Sequence, residues 1–263
     1  MTEPLWTYNS NHRKRPNVHP LRAPSGAVLT RDAPDDHPWH HALWFTIKFV
    51  NGDNFWEEYD AYGVLRHQDD RTVHWIKPDR ETVVNVDERS IADVRLADDA
   101  YALDWMISLT PTEDVVLDRT PFTTWGGYGG LALRGRPDWT DTRILLADGS
   151  THDRVLGTPS EWCDLSGTVD GGEAGILFLD HPANPRHPVP WYGSTRAATY
   201  GDEGWSNFLN AAFLWDEALE VPEGEPLSFR YRVVVHDGIW DRDRCDAERH
   251  RWLHGEEGGR EHG

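Results

Sequence analysis

The stretch Leu227-Ser228-Phe229-Arg230-Tyr231-Arg232-Val233-Val234-Val235 decides the fold. Side chains alternate across a strand, so Leu227, Phe229, Tyr231 and Val233 share one face while Arg230 and Arg232 share the other. Such a strand buries one side. Apolar or β-branched runs recur at residues 43–50, 73–76, 82–86, 91–96, 101–109, 115–117, 131–133, 144–146, 175–179 and 211–215, separated by Gly, Pro, Asn and Asp clusters. A parallel α/β sheet would need long amphipathic helices between the runs, and almost none are present. The pattern predicts an all-β fold, a large two-sheet antiparallel β-sandwich. The exception is residues 241–254, read as a short C-terminal helix carrying Cys245, Arg249 and Trp252. Residues 1–255 are expected to form one domain, and the Gly/Glu-rich residues 256–263 a disordered tail.

The formal charge of −19 and a lysine set of only Lys14, Lys48 and Lys77 argue against nucleic acid and against anionic membranes as partners. No apolar run approaches the ~20 residues of a membrane span, and the start lacks a signal-peptide pattern. A cytoplasmic location is the expectation. Cys163 and Cys245 lie far apart without a C-x-x-C partner, so both are read as free thiols.

The densest chemistry is Asp35-Asp36-His37-Pro38-Trp39-His40-His41, a loop feeding the run that starts at Ala42. Alternation on the entering strand sends His40 and His41 in opposite directions. Imidazole serves both general acid–base catalysis and metal binding. His37, His40 and His41 are therefore catalytic candidates. A second loop, residues 180–192, carries four prolines and presents Asp180, His181, Asn184 and Trp191. Asp180 and His181 are the candidate catalytic counterparts. Substrate-binding candidates are His19, Arg22, Trp56, Tyr128, Arg134, Asn184 and Trp191. Tyr128 lies within the glycine-rich run 125–130 and Arg134 on the strand after it; the run lacks a Lys-Ser/Thr ending and opens no helix, so phosphate cradling is not indicated. Fourteen tryptophans, among them Trp39, Trp56, Trp125, Trp191 and Trp205 in polar loops, suit stacking on sugar faces.

Several blocks in order, Arg15-Pro16-x-x-His19-Pro20-Leu21-Arg22, Asp36-His37-Pro38-Trp39-His40-His41-x-Leu43, Asn54-Phe55-Trp56, Gly127-Tyr128-Gly129-Gly130-Leu131, Asp164-Leu165-Ser166-Gly167 and Asp180-His181-Pro182-x-Asn184 with Pro190-Trp191, resemble the soluble "methane oxygenase PmoA"-like family. The resemblance implies a galactose-mutarotase-like sandwich and carbohydrate chemistry. Ala42 stands where that pattern leads one to expect Gly. Methane oxidation itself is set aside, because the subunit that lends the label is an integral membrane protein.

The leading expectation is a carbohydrate-active enzyme performing acid–base chemistry on a small sugar or keto-glycoside: epimerisation, elimination or hydrolysis. One alternative is a metal-dependent oxygenase, its divalent ion held by a set drawn from His19, His37, His40, His41, Asp36 and Asp180. The other is a non-catalytic carbohydrate-binding module. No cofactor is otherwise required, and the oligomeric state is left open.

Overall fold

The computed structural model describes residues 3–10, 15–120, 127–197 and 206–255. Trp125, Trp205 and the tail from residue 256 lie outside them. Two antiparallel sheets face each other. The first has seven strands in the order Trp6–Asn9, Asn17–Leu21, Leu43–Ile47, Gly129–Arg134, Phe208–Ala211, Pro190–Ser194 and Arg154–Pro159. The second has nine, with Leu227–Asp237 at its centre between Gly172–Asp180 and Ala100–Pro111. A third, four-stranded sheet joins Leu219–Val221, Val115–Asp118, Phe49–Val50 and Asp53–Asn54. Its tight hairpin turns on Asn51 and Gly52, with φ of +50° and +83°, values that Asn and Gly accept best.

The alternation read in residues 227–235 holds. Phe229, Tyr231, Val233 and Val235 enter the core between the two large sheets, against Phe45, Leu131 and Trp191 from the other side. Arg232 lies on the opposite face and pairs with Asp104 and with Glu248 of the helix Arg242–Gly255. That helix covers the outer face of the nine-stranded sheet, where Trp162, Leu179, Val234, Cys245 and Trp252 form a smaller apolar cluster. Cys163 and Cys245 are both buried free thiols. Among the described residues, no helix is long and apolar enough to cross a membrane.

Some boundaries differ from the sequence reading. Runs 82–86 and 91–96 belong to one long strand, Val83–Ala97. Run 211–215 leaves the sheet after Ala211 and continues as a turn. Polar and proline-containing strands such as Asn17–Leu21 and Pro190–Ser194 carry no simple apolar alternation.

Candidate active site

The outer face of the seven-stranded sheet is aromatic where solvent-facing positions are ordinarily polar. Register explains which residues meet there. Asn17 pairs with Trp44, Trp44 with Ala132, Ala132 with Asn210, and Asn210 with Tyr192, which makes one row across five strands. Two residues along, Arg134 pairs with Phe208 and Phe208 with Ser194. Their strand neighbours Leu43, Leu131, Leu133, Leu209 and Trp191 point the other way, into the core. Small Ala132 leaves room between the large rings. Asn210 donates to the Leu131 carbonyl at 3.0 Å and so holds the row together from within the sheet.

On this floor sit Trp56 and Tyr128, stacked at 4.7 Å, with Tyr128 edge-on to Tyr192 and Phe208. Arg15, wholly buried, donates to the carbonyls of Phe55 and Trp56 at 2.5 and 2.8 Å and fixes the segment that carries Trp56. His40 lies on Phe208 at 4.9 Å and beside Trp44 at 5.3 Å, and His37 stacks on His40 at 4.6 Å. Asp36 shares one carboxylate oxygen between His37 Nδ1 and Arg134 Nη2, each at 2.8 Å. Burial works against its charge, yet the bonds from His37 and Arg134 prevail and hold the carboxyl below its ordinary range.

His40 and His41 diverge, as strand alternation implies. His41 is clamped between Asp32 at 2.7 Å and Glu58 at 2.8 Å. Burial disfavours its charge, but the two carboxylates outweigh it and raise the imidazole above its usual value. His40 has no such support. Burial first, then the neighbouring His37 and Arg134, push it well below 6.5, so it stays neutral at physiological pH. Ala42 takes φ of +57°, a left-handed backbone that favours glycine, and this conformation costs about 1 kcal/mol in an L-residue. Backbone bonds with Arg31 and Arg134 hold it there.

Among the described residues, the enclosed His40 Nδ1, Trp44 Nε1 and Asp36 Oδ1 at this site have no hydrogen-bond partner. An unpaired buried polar atom costs about 1–3 kcal/mol. The set offers a donor, an acceptor and a ring nitrogen that can be either.

A pH effect follows from His40. Its folded pKa lies below the unfolded value, so below about pH 6.5 the unfolded chain binds a proton that the folded chain refuses. Stability should therefore fall with acidification by at most about 1.4 kcal/mol per pH unit. His41, raised in the fold, contributes stability below about 6.5 and loses it as pH rises through its folded value. Urea midpoints between about pH 5 and 7 should show a flatter acid slope for His40→Gln than for the wild type. Equal slopes would contradict a buried neutral His40.

The remaining candidates lie elsewhere. Asp180 is wholly buried and staples its own loop: it accepts from Asn184 Nδ2 and Val189 N, and its second oxygen contacts His187 Nδ1 at 2.7 Å. It is a structural carboxylate, not a counterpart to His37. His181 accepts from Ala183 N and packs its ring edge-on to Trp252. Asn184 bonds Asp180 and the Arg230 carbonyl and is nearly buried. Trp191 is a core residue, its Nε1 bonded to the Ser160 carbonyl and its ring against Phe178. Being the second residue of strand Pro190–Ser194, it faces inward, and its neighbour Tyr192 takes the outward position. His19 bonds Thr30, and Arg22 pairs with Glu3 and the Gly26 carbonyl at the end of the sheet. The structure thus joins His37, His40, Trp56, Tyr128 and Arg134 with Asp36. The metal set does not assemble: among the described residues, no three His, Cys, Asp or Glu side chains form a metal-holding group.

Sequence reasoning missed Trp44, Tyr192 and Phe208. Trp44 sits in a run that is apolar on both faces, which hides alternation, but Tyr192 was within reach as the strand neighbour of Trp191.

Two solved structures are similar to this chain at a low level. A galactose mutarotase related enzyme from Lactobacillus acidophilus gives a TM-score of 0.43 at 7% identity, over 90% of this chain and 99% of that one. A polysaccharide lyase gives 0.38 at 10% identity over 92% of this chain, which spans only 34% of the lyase. No curated protein matches the sequence. The family model that matches residues 2–249 is not the methane oxygenase PmoA-like one to which the sequence blocks pointed, so that resemblance is corrected. The chain belongs to the family of unknown function DUF6807.

Proposed function

We propose that the outer face of the seven-stranded sheet is an active site performing general acid–base chemistry on a polyhydroxylated substrate, a sugar or keto-glycoside. The observation that carries this reading is the Asp36–His37–His40 arrangement over an aromatic floor, where His40 Nδ1, Trp44 Nε1 and Asp36 Oδ1 have no partner among the described residues. Each part has a role. Asp36, kept ionised by the bonds from His37 and Arg134, orients His37 through Nδ1, and Nε2 is the nitrogen assigned to proton transfer. His40, neutral at physiological pH, can accept or donate one hydrogen bond without adding charge. Indole, phenol and phenyl faces suit the C–H face of a sugar ring, while Trp44 Nε1 and Asp36 Oδ1 suit its hydroxyls.

The test is a panel of free aldoses, methyl glycosides and their keto forms, followed by proton NMR for anomer exchange, elimination and hydrolysis. The wild type should accelerate at least one conversion, and His37→Ala and His40→Ala should each suppress it. Full activity in both variants, or no conversion across the panel, would reject this function.

A further inference from the structure

Beside the histidine loop lies an open cleft of about 510 Å³, within the range of small-molecule sites. Trp39, Tyr59 and Tyr62 line one part of it, and Lys48, Asn54 and Glu57 another. The aromatic wall is continuous: Trp39 lies 5.9 Å from Tyr59, and Tyr59 lies 5.5 Å from Tyr62. Tyr59 is 55% exposed, an unusual degree for a large ring. Its loop is nevertheless held firmly. Arg80 donates to the carbonyls of Asp60 and Tyr62, Tyr62 N bonds the Tyr59 carbonyl, and Gly63 N bonds the Asn54 carbonyl. Gly63 is required there, because a Cβ would come within 2.3 Å of the Phe55 ring.

The polar part is also ordered. Glu57 accepts from both Lys48 Nζ and Asn54 Nδ2, and Asn54 Oδ1 receives the backbone N–H groups of Trp56 and Glu57. Ordered polar groups and an aromatic wall lining one cleft are what a ring with an apolar face and a hydroxyl edge requires. Trp39 links this cleft to the proposed active site, since its ring also meets His37 edge-on at 5.4 Å. Trp39 thus contacts both His37 and Tyr59.

The geometry points to the Trp39–Tyr59–Tyr62 cleft as a second saccharide subsite, so that the substrate is an oligosaccharide or an extended glycoside whose further ring rests on Tyr59. This rests on the acid–base reading of the His37 face for the direction in which the chain runs. Binding there positions the second ring and makes no covalent change.

Calorimetric titration with maltotriose, cellotriose and xylotriose, each against its monosaccharide, tests the subsite. At least one trisaccharide should bind about tenfold or more tighter than its monosaccharide, and Tyr59→Ala, at an exposed position that leaves the fold intact, should remove about tenfold of that gain. Equal affinity for trisaccharide and monosaccharide, with His37-dependent turnover of the monosaccharide, overturns the subsite and leaves the acid–base function standing. Trisaccharide binding that depends on Tyr59 while His37→Ala and His40→Ala change no conversion upholds the subsite and removes the acid–base reading. No binding of any of these sugars overturns the subsite.

Discussion

His37→Ala should lower kcat for the converted sugar by about 10²- to 10⁴-fold, the usual contribution of a positioned general acid or base, with a much smaller change in KM. The split arises because the aromatic floor of Trp44, Trp56, Tyr128 and Phe208 supplies binding independently of the imidazole. Folding should be little affected, since His37 is partly exposed and belongs to a loop. Asp36→Asn is the companion variant. It keeps the shape but removes the charge that orients His37, and it also removes the carboxylate charge paired with buried Arg134. Its kcat should fall in the same direction with some loss of stability. If His37→Ala raised KM and left kcat unchanged, His37 would be a binding residue only.

Trp191→Ala should destabilise the protein by about 3–5 kcal/mol, the range for a large aromatic removed from a packed core. The indole is fully enclosed between the two large sheets and its N–H is satisfied by the Ser160 carbonyl, so truncation leaves a cavity and an unpaired acceptor. For a chain of this size the melting temperature should drop by roughly 10 °C. Urea unfolding measures it. Trp191→Phe, which keeps most of the ring, should cost far less. A loss below about 1 kcal/mol for the Ala variant would contradict the inward placement.

The fold was legible because strand periodicity is local. Residues 227–235 show which face is buried without knowledge of any partner. The site was only half legible. His37, Trp56, Tyr128 and Arg134 stood out as unusual residues among glycines, prolines and tryptophans, and three separate segments bring them together. What failed was the loop at residues 180–192, where prolines suggested a presented rim. Pro190 instead opens a strand paired on both sides, and the strand fixes the direction of Trp191 by register with Ala211, a partner twenty residues away. The same non-local register makes Trp44, Tyr192 and Phe208 neighbours. Asp180 misled for another reason, since a carboxylate that staples its own loop is indistinguishable in sequence from a catalytic one.

The central claim is that substrate sits on the His37–His40 face. Protein labelled with nitrogen-15 in its histidines, titrated with the sugar it converts and read by imidazole NMR, tests this most directly, with signals assigned from single replacements. The His37 and His40 resonances should move in step with saturation, while His152, bonded to Ser150 next to the far strand of the other sheet, should not. Shifts confined to other histidines, with His37 and His40 unmoved at saturation, would place the substrate elsewhere and contradict the account.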